Sequence, residues 1–118
     1  MPEEVSISES RKYITIRSFG KLSVDELKKA IREVMLVHQE YGIAKAIVDS
    51  SQQDIFPTFI DALEGAKYLG EKTKGKIKFA IIVRNNPSDH GLFREAALLH
   101  QTQISYFDNY ESAMKWLE

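Results

Sequence analysis

Ala44-Lys45-Ala46-Ile47-Val48-Asp49, Phe79-Ala80-Ile81-Ile82-Val83-Arg84 and Ile104-Ser105-Tyr106-Phe107-Asp108 are short apolar runs that give way to polar residues. A strand that is apolar at successive positions has no wet face. Strands buried on both faces belong to parallel sheets flanked by helices. Each run is followed by a turn and a helix-like pattern, which supplies the crossover that parallel pairing requires. Such crossovers are right-handed in nearly all cases, so few topologies remain. The class is α/β.

Working outward, Val5-Ser6-Ile7-Ser8 and Tyr13-Ile14-Thr15-Ile16-Arg17 alternate apolar and polar residues, with Ser8-Glu9-Ser10-Arg11 as a hairpin connection between them. Alternation leaves one face of this hairpin wet. Gly20 and Lys21 end the second strand. Ser23 and Glu26 form a capping-box pattern, and Val24, Leu27, Ile31, Val34, Met35 and His38 follow at helical spacing until Gly42. Ser50 to Asp54 reads as a polar loop, with Pro57 suited to the first turn of a second helix. Phe59, Ile60, Leu63, Ala66 and Leu69 are its expected buried side, and Gly70 its expected end. A third helix is predicted from Pro87 or Ser88, burying Leu92, Phe93, Ala96 and Leu99. Asp108 or Asn109 caps a short final helix, with Glu111 favouring Asp108. Tyr110, Ala113, Met114 and Leu117 share its apolar face, to which Trp116 adds. The order is β-β-α-β-α-β-α-β-α.

Composition narrows the function classes. The chain has 118 residues, read as one domain over 1–118, with no cysteine and a net charge of −1. There is no disulfide framework, thiolate metal site or cysteine nucleophile. Phosphate neutralisation needs a basic surplus, so the charge argues against nucleic acid as the main partner. No apolar run approaches membrane-spanning length, and Met1-Pro2-Glu3-Glu4 lacks the basic and apolar regions of a signal peptide. A cytoplasmic protein is the expectation.

Ile104-Ser105-Tyr106-Phe107-Asp108-Asn109-Tyr110-Glu111-Ser112-Ala113-Met114-Lys115-Trp116-Leu117, a strand, a Tyr-Phe-Asp turn and a short helix carrying Ala and Trp-Leu, resembles the C-terminus of the SpoIIAA-like family of small STAS/Sec14-type domains. Gly20-Lys21-Leu22-Ser23 and Ile47-Val48-Asp49 fit the same family. The resemblance implies a STAS-like mixed sheet with helices mainly on one face, often a homodimer, and no metal or organic cofactor. Regulatory members carry a phosphorylatable Ser in an Asp-Ser-Ser-Gly-like sequence where the helix after the third strand begins. Here that place reads Asp54-Ile55-Phe56-Pro57-Thr58-Phe59, and Asp49-Ser50-Ser51-Gln52 comes too early. The sequence therefore departs from the phosphoswitch pattern.

Ligands of open α/β sheets bind beyond the carboxyl ends of parallel strands. Those ends carry a polar rim of Asp49, Ser50, Ser51, Asp54, Thr58, Arg84, Asn85, Asn86 and Asp108. Arg84 is the cation there that can fork a carboxylate or phosphate; alternatively it pairs with Asp49 or Asp108. His38, His90 and His100 are far apart, without metal-ligand spacing, and Ser50-Ser51 lack a nucleophile elbow. Ile55, Phe56, Pro57 and Phe59 turn a polar loop abruptly apolar. Either they are buried under the loop, or Ile55, Phe56 and Phe59 form a contact or ligand surface.

Three functions compete. The first is a noncatalytic binding or regulatory domain, homodimeric, acting through protein contacts. The second is a small carrier of an apolar or lipid-like ligand, on the Sec14-like side of the resemblance. The third is an enzyme using Asp49, Arg84 and Asp108 on an anionic substrate.

Overall fold

A computed structural model describes residues 3–20, 23–53, 59–84 and 91–118. The elements are β1 (Glu3–Ile7), β2 (Ile14–Gly20), α1 (Val24–Tyr41), β3 (Lys45–Gln53), α2 (Phe59–Thr73), β4 (Lys78–Ile82), α3 (Gly91–Leu99), β5 (Gln103–Phe107) and α4 (Tyr110–Leu117). The strands form one sheet in the order β1-β2-β3-β4-β5, with β1 antiparallel to β2 and every later pair parallel. This is the mixed α/β architecture read from the sequence.

Register explains how the sheet is covered. Ala46, Phe79 and Ile104 pair across three strands and face one side. There they join Ile14, Ile16, Ile31, Val34, Ala66, Leu69, Phe93 and Ala97 in the main core. Ile47 and Ala80, one residue on, face the other side with Ile82. That side is sealed by Ala113 and Leu117 of α4, with Tyr13, Phe107, Met114 and Trp116 around them. Helices α1, α2 and α3 therefore share one face, and α4 holds the other.

The first connection turns on Arg11, at φ 60°, with the Arg11 amide donating to the Ser8 carbonyl at 2.9 Å. In α1 the Glu26 amide donates to Ser23 Oγ at 3.2 Å, and left-handed Gly42 closes the helix by donating to the His38 carbonyl at 2.8 Å. His38 Nδ1 lies 2.8 Å from the Ile43 carbonyl. A carbonyl only accepts, so Nδ1 carries the proton and His38 is a tie at the helix end.

Three expectations about the helices are corrected. The buried side of α2 runs through Ala62, Ala66, Leu69 and Thr73, so Ile60 is 71% exposed and Leu63 is also exposed. In α3 the buried residues are Phe93, Ala96 and Ala97, which rotates Leu99 outward to 84% exposure. A helix shows only one arc to the sheet, and apolar residues off that arc stay wet. Gly70 does not end α2; the chain continues to Thr73 and turns at Lys74 and Gly75, with φ of 49° and 72°. Gly70 is instead where α2 meets the residue following α3, because an added Cβ would lie 2.3 Å from His100 Cβ and 2.8 Å from the His100 carbonyl oxygen. Pro57, Pro87 and Ser88 lie outside the described residues, as does the Leu92 side chain.

α4 is short, and packing rather than propensity holds it. Lys78 Nζ donates to the Trp116 carbonyl at 2.8 Å and lies 4.4 Å from the indole centroid. The cation thus caps a free carbonyl at the negative end of the helix while covering an aromatic face. Phe107 and Trp116 rings stand 5.8 Å apart.

Two substitutions test this packing by chemical denaturation. Leu117→Ala, which empties a fully buried site, is expected to cost about 2–5 kcal/mol. Gly70→Ala should cost about 1–3 kcal/mol by forcing α2 from His100. An unchanged midpoint for either contradicts the corresponding contact.

Candidate functional site

The carboxyl end of β3 is longer than the sequence pattern suggests. Ser50 to Gln53 are strand rather than loop, because β2 continues alongside them. The pairing is irregular: Arg17 opposes Asp49, but Phe19 opposes Gln52, so β3 carries one extra residue there. A bulge of this kind bends the strand and re-aims its side chains. Here it places Ser51 against the carboxylate two residues earlier. Ser51 Oγ donates to Asp49 Oδ1 at 2.6 Å, and the Ser51 amide donates to the same oxygen at 3.1 Å.

A third donor comes from 61 residues away in the chain. Tyr110 Oη, in the first turn of α4, donates to Asp49 Oδ2 at 3.0 Å. Asn109, not Asp108, caps α4: the Asn109 carboxamide oxygen accepts from the Ser112 amide at 2.8 Å, while Asn109 Nδ2 donates to Asp108 Oδ1 at 2.6 Å. That cap directs the first turn, and Tyr110, half exposed, toward β3. On the remaining side stands β2. Arg17 is exposed, and its guanidinium lies 5.2 Å from the Phe19 centroid. Among the described residues Arg17 makes no ion pair within 4.0 Å, so it acts on Asp49 through space.

The electrostatics follow from this geometry. Burial by itself would raise the Asp49 carboxyl, but the two Ser51 bonds, the Tyr110 bond and the Arg17 charge together bring it below its ordinary value of 3.8. The Tyr110 phenol moves the other way: burial, the bond to Asp49 and the Asp49 charge all favour its protonated form, against Arg17. The cluster at neutral pH is an ionised carboxylate holding three donors.

The rim read from sequence is only partly assembled. Asp49 and Ser51 meet, while Ser50 is buried. Arg84 is exposed and pairs with neither Asp49 nor Asp108 among the described residues. Asp108 is engaged by Asn109 instead. Asp54, Thr58, Asn85, Asn86, Ile55 and Phe56 lie outside the described residues, as does the Phe59 side chain. Arg17, Phe19 and Tyr110 are the members missed. The wet phase of β2 pointed to Arg17, but Tyr110 read as part of an apolar helix face. Among the described residues no group of three or more His, Asp or Glu is arranged to hold a metal ion, and no helix is long and apolar enough to cross a membrane.

No protein-family model matches this sequence, and no curated protein matches it. Solved structures do share its fold. One is an uncharacterised protein with a SpoIIAA-like fold from Shewanella loihica, at a TM-score of 0.65 and 21% identity, covering 98% of this chain and 94% of the other. The anti-sigma factor antagonist SpoIIAA in its unphosphorylated form aligns at a TM-score of 0.64 and 10% identity, over 96% and 94% of the two chains. An anti-sigma factor antagonist from Mycobacterium paratuberculosis aligns at 0.62 and 12% identity, over 98% and 93%. The chain therefore has the SpoIIAA-like STAS fold.

Asp49 makes stability depend on pH. Its folded pKa is depressed, so its contribution is present above the unfolded value of 3.8 and is lost as pH falls through the folded value. Asp49→Asn should flatten that part of the acid limb in denaturation measured from pH 6 to pH 2. Tyr110→Phe should cost about 1 kcal/mol at pH 7, the scale of one hydrogen bond. An acid limb identical to that of the parent protein would refute the Asp49 assignment.

Proposed function

We propose that this protein is a noncatalytic binding domain that acts through protein-protein contacts in a regulatory role. The observation that carries the reading is the state of the Asp49 cluster. Ser51 and Tyr110 both bring a hydroxyl to a potential base, and that base is a carboxylate with a lowered pKa. A general base works best with a pKa near the operating pH, so Asp49 is badly matched to deprotonating Ser51. The same groups suit recognition: they are held in place by their own hydrogen bonds, Asp49 and Ser51 are partly exposed, and Tyr110 is half exposed. Pre-organised side chains lose little freedom on binding.

Two further features support a protein partner. Ile60, in the first turn of α2, offers an exposed apolar side chain at the end of the sheet where β3 delivers Asp49. Two of the structures sharing the fold are anti-sigma factor antagonists, and their role supports a regulatory one here by analogy of fold. A homodimer belongs to the same reading, with exposed Leu36, Leu98 and Leu99 as apolar side chains for a second copy to cover. Ile55 and Phe56, which lie outside the described residues, and Phe59, whose side chain does, remain with Ile60 in the proposed contact surface.

The test combines native mass spectrometry with partner capture. Freshly purified protein is expected at dimer mass without a retained small molecule. Tagged protein expressed in its host should capture a partner that rebinds when purified separately. Ile60→Asp should weaken that rebinding at least tenfold while the melting temperature holds. A retained apolar molecule at stoichiometric mass would replace this reading with the carrier, and turnover lost in Asp49→Asn would replace it with the enzyme.

A further inference from the structure

Counting protons around Asp49 gives the rim a definite chemical sign. The carboxylate oxygens only accept, so the hydrogens of Ser51 Oγ and Tyr110 Oη both point at Asp49. Ser51 Oγ therefore has no donor left for solvent, and neither does Tyr110 Oη. What each has left to offer is a lone pair. On the carboxylate, Oδ1 takes two donors from Ser51, while Oδ2 takes one from Tyr110 and keeps room for another. Three acceptors are thus gathered at one partly exposed carboxylate, and one of them carries negative charge.

Arg17 does not use up that spot. It makes no ion pair within 4.0 Å among the described residues, and its guanidinium lies near the Phe19 ring on the neighbouring strand. The exposed Tyr110 ring supplies an aromatic wall on the α4 side. A flat cation with several donors fits these features: it can give hydrogen bonds to more than one acceptor and lie against an aromatic face.

We infer that Asp49 Oδ2, Ser51 Oγ and Tyr110 Oη form a receptor for a guanidinium group, the side chain of an arginine on the protein partner. This rests on the binding reading above and deepens it by naming what the partner brings. An arginine is favoured over a lysine because its planar fork reaches two acceptors at once, whereas an ammonium acts as a point charge.

The test uses small probes, so it does not require the partner. Backbone amide shifts of the full chain are followed by NMR at constant ionic strength while N-acetylarginine amide replaces KCl. Its neutral isostere, N-acetylcitrulline amide, is titrated in parallel. The expected result is a saturable shift confined to Asp49, Ser51, Tyr110 and their neighbours, with binding about two- to fivefold tighter for the arginine probe, the scale of an exposed ion pair. Asp49→Asn should abolish the difference between probes. Tyr110→Phe should reduce it, with an otherwise unchanged spectrum showing that the fold survives. Equal binding of the two probes, shifts scattered over other acidic residues, or a stronger response of this cluster to acetate would each overturn the inference. None of those outcomes affects partner capture through Ile60, so the two readings fail separately.

Discussion

Burial of β3 and β4 on both faces is the constraint on which the rest of the structure depends. Ala46 and Phe79 need cover on one side, and Ile47, Ala80 and Ile82 need it on the other. With the parallel strands laid down in chain order, crossovers of one hand deliver α1, α2 and α3 to the same side. No crossover remains for the second side. α4 solves this by folding back after β5, and its Ala113 and Leu117 close the strip over the central strands. A helix of eight residues is too short to be stable by itself, so sheet and helix are mutually dependent.

The candidate site is a by-product of that closure. To cover Ile47 and Ile82, α4 must begin near the end of β3, which brings Tyr110 within hydrogen-bonding distance of Asp49. The bulge in β3 brings Ser51 to the same carboxylate. Three donors then hold a charge that burial by itself would disfavour. At the opposite end of α4, Lys78 reaches the Trp116 carbonyl. Each end of the helix is thus tied to the strand whose apolar side chains it covers.

The Asp49 carboxylate is ionised and accepts three hydrogen bonds, with room on Oδ2 for a fourth. It presents acceptors in fixed positions and has little tendency to take a proton at neutral pH. Recognition of a donor-rich group uses those properties directly. The SpoIIAA-like fold, shared with proteins of low sequence identity, supplies the scaffold, and the site depends on side chains that this sequence places on it.

The linear pattern determined the class, the order of elements, the wet hairpin and the caps at Ser23 and Gly42, because these depend on neighbours in sequence: apolar period, turn residues and local hydrogen bonds. It placed Asp49 and Ser51 at a strand end for the same reason. Tertiary structure decided what those residues meet. The extra residue in β3 is defined only against β2, and continued pairing with β2 makes Ser50 to Gln53 strand where composition reads as loop. Ile60 and Leu99 are apolar yet wet, since which arc of a helix faces the sheet depends on the packing of the whole layer. Gly70 looks like a terminator in one dimension and is a close approach to His100 in three. Tyr110 shows the limit most plainly: its spacing with Ala113 and Leu117 marks the right helix face, but only the path of the chain from β5 back across the sheet turns that face toward Asp49.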